Sequence, residues 1–279
     1  MEFEIVTLKS GTKSLRSLEH AETFHPATGP FDEAHVIHVQ QQRLRERCHR
    51  ERKLVLWDVG FGAAANVLAA IEALADCDAE IEIHSFDKTT APIEFALRHQ
   101  EELGYISGHE RSLRRLLLDG QVRIQPRTVW NLHLGDFSDT VRTPAGAALP
   151  APNAIFYDPY SPATNPEMWT LEHFTSIWRR LDPDTECMLT NYTRSTSMRV
   201  ALLLAGFFVG VGCVIGEKAE TTIAANRLEL LAKPLDRKWL ERVRVSRNSA
   251  PLRHSAYSQS GISGEDFERL GRVPQFDLV

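Results

Sequence analysis

From Lys53 onward the chain alternates short apolar runs with amphipathic stretches, and this alternation limits the folds open to it more than any other feature. Leu54-Val55-Leu56-Trp57 reads as a buried strand that turns through glycines into helical spacing over 63–75. Residues 81–86 read as a second strand ending at Asp87. Pro92 then sits where a first helical turn tolerates proline, with a helix expected on to 103. The same reading predicts a helix over 109–118 and strands over 129–134, 154–157 and 186–191. It also predicts helices over 166–181 and 197–205, the last stopped by Gly206. Two closing strands, 207–213 and 221–231, have no helix between them. Such a pattern implies a mainly parallel sheet covered on both faces, finished by an antiparallel edge. Residues 1–50 read as a small strand-containing cap and 51–233 as the core; 234–279 read as a helix near Trp239 and a loosely held tail.

Composition narrows the class. With 43 % hydrophobic and 25 % charged residues in 279, the chain is of ordinary soluble, globular type. Its longest apolar stretch, 200–211, is too short for a membrane span, and the acidic, polar start MEFEIVTLKS is unlike an export signal. A cytoplasmic, membrane-free protein is expected. The cysteines Cys48, Cys77, Cys187 and Cys213 form no CxxC pair, which predicts free thiols and no metal site. His35 and His38, three residues apart, lack a convergent third ligand and read as cap or surface residues, while Trp169 and Trp178 read as core anchors of one helix. A formal charge of −5 argues weakly against nucleic acid, but basic residues cluster at 43–53 (local +4) and 233–253 (local +5).

Chemistry concentrates at the expected strand ends. Trp57-Asp58-Val59-Gly60-Phe61-Gly62 passes from strand to helix through two glycines, which let a backbone approach a ligand closely. As GxGxxA it fits a dinucleotide fingerprint with Asp87 downstream. Asp58, two residues before Gly60, fits instead the acid-x-Gly-x-Gly loop that binds S-adenosylmethionine. A pyrophosphate wants backbone N–H groups and no anion, whereas a sulfonium and an ammonium welcome one. Asp87 can accept both ribose hydroxyls, and Asp136 the adenine amino group. Each acid alone also suits a loop or a helix cap. Asp158 follows the strand at 154–157 and is stiffened by Pro159, Pro162 and Pro166. Asp158-Pro159-Tyr160 resembles the Asn/Asp-Pro-Pro-Tyr/Phe turn of amino-group methyltransferases. Asp158 would receive the amine hydrogens or remove a proton, and Tyr160 would form an aromatic wall.

Taken together, Asp58-Val59-Gly60-Phe61-Gly62…Asn66 and Asp158-Pro159-Tyr160-Ser161-Pro162-Ala163…Asn165-Pro166-Glu167-Met168-Trp169 resemble a known family. It is the methyltransferase half of the bacterial bifunctional enzyme that completes 5-methylaminomethyl-2-thiouridine at the tRNA wobble position. The resemblance runs over about 24–232, from Gly29-Pro30-Phe31-Asp32-Glu33 to Gly216-Glu217-Lys218, with Ala63-Ala64 where that family usually has Thr-Gly. It implies a Rossmann-like α/β sheet of seven strands with an antiparallel edge and a small N-terminal cap. It implies S-adenosyl-L-methionine as cofactor, held by Glu33, Asp58, Gly60, Gly62, Asn66, Asp87 and Asp136. Asp158 is implied as the catalytic residue, with Tyr160, Asn165 and Lys218 at the substrate. The acceptor would be an aminomethyl-uridine of tRNA. No stretch of flavin-oxidase length follows, which implies a stand-alone version working beside a separate flavin oxidase. A methyltransferase for a small-molecule or protein amine, and a non-catalytic relative that kept the fold, are the other readings.

Overall fold

The computed structural model describes residues 2–216 and 220–278. Three short antiparallel strands, β1 (Phe3–Thr7), β2 (Lys13–Ser17) and β3 (Glu22–Thr23), form a separate cap sheet. The main sheet contains β4 (Lys53–Val59), β5 (Glu80–Asp87), β6 (Gln121–Gln125), β7 (Thr128–Leu134), β8 (Ala154–Tyr157), β9 (Met188–Asn191), β10 (Phe208–Val211) and β11 (Thr222–Ala225). Their order is β10-β11-β9-β8-β4-β5-β7-β6. The middle five, β9 to β7, are mutually parallel, and β11 runs antiparallel between β9 and β10.

Eight strands stand where seven were expected. The extra one is β6, hairpinned antiparallel onto β7. Its sequence QVRIQ alternates polar and apolar, a period-two signal too short to stand out beside the helix before it.

Burial explains the apolar runs. From Leu54 to Val59 every residue of β4 is buried, as a parallel strand covered on both faces must be. One apolar layer joins the helices Leu171–Trp178, Thr196–Ala205 and Arg237–Val245 to the sheet through Trp169, Phe174, Leu202 and Trp239. The opposite layer holds the helices Ala65–Ala73, Ala91–Arg98 and Glu110–Asp119 through Val67, Ile93 and Leu113. The helix expected over 166–181 is broken at Thr170, whose hydroxyl accepts from His173 N–H at 3.1 Å and restarts it as Leu171–Trp178. Trp169 is fully buried and Trp178 packs against the same layer.

Two expectations are corrected. Cys48 and Cys77 are joined in a disulfide, with Cα atoms 5.9 Å apart, so only Cys187 and Cys213 are free thiols among the described residues. Both paired residues join the apolar cluster under the helix Ala65–Ala73, a proximity that a separation of 29 residues does not announce. The segment expected as a loose tail is packed: helices Gly264–Gly271 and Gln275–Leu278 put Leu270 and Phe276 wholly in the core. Gln275 clamps the outer edge of β10, accepting from Val209 N at 2.7 Å and donating to Val209 O and Leu235 O, each at 2.8 Å. Side-chain to backbone bonds of this kind leave no periodicity to read.

His173 lies fully buried beside Ser138, its Nδ1 3.1 Å from the hydroxyl, and burial pushes its pKa down to about 3. The unfolded chain takes up this proton near pH 6.5 and the folded chain resists it, so stability is lost as pH falls from about 6.5 toward 3. Between pH 7 and pH 4.5 the native chain should lose about 3 kcal/mol more than a His173→Phe variant, by urea unfolding. Equal losses would remove His173 as a titrating group.

Candidate active site

Going along the chain from β4, successive strands β5 and β7 are added on one side and β8 and β9 on the other. The gap between the ends of β4 and β8 is therefore a topological switch point, where open α/β sheets bind ligands. A cavity of about 600 Å³ lies there, within the roughly 300–1,000 Å³ of small-molecule sites. Gly60, Gly62, Asp87, Gly135, Asp158 and Tyr192 line it from the strand ends, and His20–Pro26 with Glu33, Ala34, Ile37 and His38 line it from the cap side.

The glycine loop is held by its own backbone. Gly60 and Phe61 N–H both donate to Phe86 O, at 3.0 and 3.1 Å, and Gly62 N–H donates to Asp87 Oδ2 at 2.9 Å. The N–H groups of Gly60, Phe61 and Gly62 are thus spent inside the fold rather than offered to a ligand. Gly60 has φ +94°, and a Cβ there would lie 2.5 Å from the Asp158 carbonyl oxygen. The two loops touch only because that side chain is missing. Ala64, buried at φ +67°, occupies a left-handed position that glycine would take without strain.

Asp158 is held through one of its two carboxylate oxygens. Its Oδ2 accepts from Asn66 Nδ2 at 3.0 Å and lies 3.2 Å from His25 Nε2. Burial raises its pKa, but the hydrogen bond and charge of His25, with His38 and Asn66, outweigh this and hold the carboxyl below its usual range. For His25, burial is the largest influence and lowers the pKa, yet Asp158 and Glu33 hold the imidazole above its usual value. The loop itself is rigid: Trp169 Nε1 donates to Tyr160 O at 2.9 Å and Tyr192 hydroxyl to Pro159 O at 3.1 Å.

Among the other residues singled out from sequence, Tyr160 and Asn165 line the cavity, as do Glu33, Asn66 and Asp87. Tyr160 meets His20 at 4.4 Å and Phe24 at 5.7 Å between ring centroids, making an aromatic wall with cap residues. Asp87 is anchored by Gly62 N–H and, at 3.2 Å, by Thr89 N–H. Glu33 is buried, and its Oε1 gathers the N–H groups of Ala27, Thr28 and Gly29 at 2.5–3.3 Å.

Asp58 and Asp136 do not line the cavity. Asp58 is fully buried beneath the loop, accepts from Ser85 hydroxyl at 2.7 Å, and has its pKa pushed up to about 8 by burial. A carboxyl held largely protonated is a weak attractor for a sulfonium, so the charge argument made for Asp58 does not apply to it. Asp136 caps the helix Phe137–Arg142 through Ser138 N–H at 2.8 Å and pairs with Lys88 at 2.8 Å. Lys218 lies outside the described residues.

Several cavity residues escaped the sequence reading. His25 is one. His38 is another: expected at the surface or in the cap, it is buried, bonded to Thr190 hydroxyl at 2.8 Å and held neutral, its pKa pushed down to about 4 by burial. Glu22 is the third, accepting from Ser161 N at 3.1 Å and from the Ser161 and Thr164 hydroxyls, so that it ties the cap to the proline loop. No local pattern marks these residues, because each acts across a sequence gap that the fold closes.

A profile described as S-adenosyl-L-methionine-dependent methyltransferase matches residues 108–227. The tRNA 5-methylaminomethyl-2-thiouridine biosynthesis bifunctional protein MnmC of Ectopseudomonas mendocina is 27 % identical over 266 residues, 89 % of this chain and 38 % of that protein. Its counterpart in Cupriavidus necator is 28 % identical over 250 residues, 81 % of this chain and 36 % of that protein. This chain therefore spans well under half the length of these curated relatives. The crystal structure of MNMC2 from Aquifex aeolicus superposes with a TM-score of 0.73 at 25 % identity, covering 96 % of this chain and 83 % of that one. Over residues 108–227 the chain is similar to S-adenosyl-L-methionine-dependent methyltransferases, and these similarities together support S-adenosyl-L-methionine as its cofactor.

The residues of the cavity fit that cofactor. The cavity is of suitable size, and among the described residues its wall carries Glu22, Glu33, Asp87, Asp158 and Glu167 against one lysine, Lys88. Such a wall suits a ligand bearing a sulfonium and an ammonium. Among the described residues no group of three or more His, Cys, Asp or Glu side chains is placed to hold a metal ion. Among them, too, no helix is long and apolar enough to cross a membrane.

Proposed function

We propose that this methyltransferase acts on a primary amine, the aminomethyl group of a modified wobble uridine in tRNA. The observation that carries the reading is Asp158: an ionised carboxylate in the cavity wall, fixed through one oxygen, on a loop braced by prolines and Trp169. An alkylamine is largely protonated at neutral pH, so an ionised acceptor both binds it and assists its deprotonation. Bound S-adenosyl-L-methionine supplies the methyl group on a positively charged sulfur. Gly60, Gly62, Asn66, Asp87 and Glu33 are the residues that hold it in this reading. Tyr160 stacks on the planar base and Asn165 contacts it. The amine nitrogen gains its bond to carbon as the carbon–sulfur bond breaks, with alignment worth roughly 7–11 kcal/mol of barrier.

The tRNA acceptor is supported by the similarity to the MnmC tRNA 5-methylaminomethyl-2-thiouridine biosynthesis proteins. The basic residues separate into two groups. In the first run Arg45, Arg47, Arg50 and Lys53 are paired with Asp76, Glu51, Glu186 and Glu82, and the run ends at the first residue of β4, the end of that strand opposite the cavity. In the second, Lys238, Arg242, Arg244 and Arg247 are exposed and are the better phosphate contacts. A separate flavin oxidase acting on the same tRNA, in the cytoplasm, completes this reading. The formal charge of −5 favours instead a small-molecule or protein amine.

Calorimetric titration with S-adenosyl-L-methionine, with NAD as control, should give binding of the former alone. Methyl transfer to a synthetic anticodon stem-loop carrying 5-aminomethyluridine should follow, weakening steeply with salt. Transfer to a free amine but not to the stem-loop would sink the tRNA reading.

A further inference from the structure

His25 belongs to the cap, in a left-handed backbone conformation with φ +48° that a non-glycine residue seldom adopts. It is nevertheless delivered to the one carboxylate that the proline loop holds rigid. Its Nε2 lies 3.2 Å from both Asn66 Oδ1 and Asp158 Oδ2. Both neighbours are acceptors there, since Asn66 gives its Nδ2 hydrogen to the same Asp158 oxygen at 3.0 Å. The Nε2 position therefore carries the hydrogen, and the nitrogen that titrates is Nδ1, which is buried and has no hydrogen-bond partner among the described residues.

Two donors thus converge on Asp158 Oδ2, while no hydrogen bond to Oδ1 is found among the described residues. The groups facing His25 are Asp158 from the loop after β8, Asn66 from the helix Ala65–Ala73, Glu33 from the helix Pro30–Ala34 and His38 from the π-helix His35–Gln40. Burial disfavours the charged form of His38, whereas Asp158 and Glu33 favour the protonated form of His25, so His25 is the imidazole whose charge bears on Asp158.

We propose that His25 is a positioning residue for the acceptor amine: its Nε2–H fixes one oxygen of Asp158 and leaves the other for substrate, and the charge on its ring sets how strongly Asp158 holds a cation. With Nδ1 protonated, the His25–Asp158 pair is neutral overall and attracts an ammonium weakly. Once Nδ1 loses its proton to solvent, the pair carries a full negative charge and the ammonium is drawn in. No bond other than Nδ1–H is broken. The inference deepens the amine reading above and rests on it.

The test is kcat and KM against pH, from 5.5 to 8.5, for methylation of the 5-aminomethyluridine stem-loop by the native chain, His25→Gln and His25→Ala. The native KM should fall about tenfold across the imidazole titration, a change equivalent to roughly one pKa unit, with kcat unaffected by that titration. His25→Gln, which keeps a donor but cannot titrate, should lack this step, and His25→Ala should have the higher KM of the two at every pH. A native-like step in His25→Gln overturns the proposal. If the native chain methylates no stem-loop at all, the substrate reading fails instead. The His25 ring is then followed by NMR, where Asp158→Asn should lower its titration midpoint by about one unit, and an unchanged midpoint overturns the coupling.

Discussion

Replacing Asp158 with alanine is expected to lower methyl transfer by about 10²–10⁴-fold, the usual worth of a positioned acid–base group, while affinity for S-adenosyl-L-methionine stays within a few-fold. The separation follows from the geometry. Asp158 is fixed by Asn66 and His25 rather than by the glycine loop, whose own bonds run to Phe86 and Asp87. Loss of the carboxylate therefore removes the amine's partner without releasing the loop. Rates are read by transfer of labelled methyl groups and affinity by calorimetry. A mutant as active as the native chain would take Asp158 out of the mechanism. A mutant that no longer binds the cofactor would make it a structural residue.

The second large effect is expected at Gly60. Alanine there must adopt φ +94° and put its Cβ 2.5 Å from the Asp158 carbonyl oxygen, 2.8 Å from its carbon and 3.0 Å from Pro159 nitrogen. Every one of these atoms is backbone and none can swing aside. Strain of this type costs of order 1–3 kcal/mol, and the displaced loop adds to it, so Gly60→Ala should destabilise the fold by about 3 kcal/mol in urea. Methyl transfer should fall together with stability, because relief of the clash moves Asp158. Stability within about 0.5 kcal/mol of native, with transfer intact, would show that the close approach is dispensable.

The parallel core was legible because its residues answer to local rules. Apolar runs at 54–57, 81–86 and 154–157 became β4, β5 and β8, and the strand-end acids Asp87 and Asp158 came to the cavity with Gly60 and Gly62. A parallel strand buried on both faces must be apolar throughout, and a ligand at its carboxyl end needs glycine and polar residues just beyond it. Family resemblance added Glu33, Asn66 and Asn165, which line the same cavity.

What stayed hidden depends on distance in the chain. Asp58 and Asp87 look alike as strand-end acids. Yet Asp58 points beneath the loop, bonds Ser85 and is kept largely protonated, while Asp87 lies in the cavity wall and takes the Gly62 N–H. Which side of a strand end an acid occupies is set by pleat and by the turn that follows, not by its spacing from a glycine. The disulfide, the packed C-terminal helices and the Glu22 clasp each join residues through one or two contacts that carry no period. His25 is the clearest case. Its sequence neighbours are a threonine–phenylalanine pair and a proline, and only the closing of the cap over the sheet brings it 3.2 Å from the carboxylate whose charge it sets.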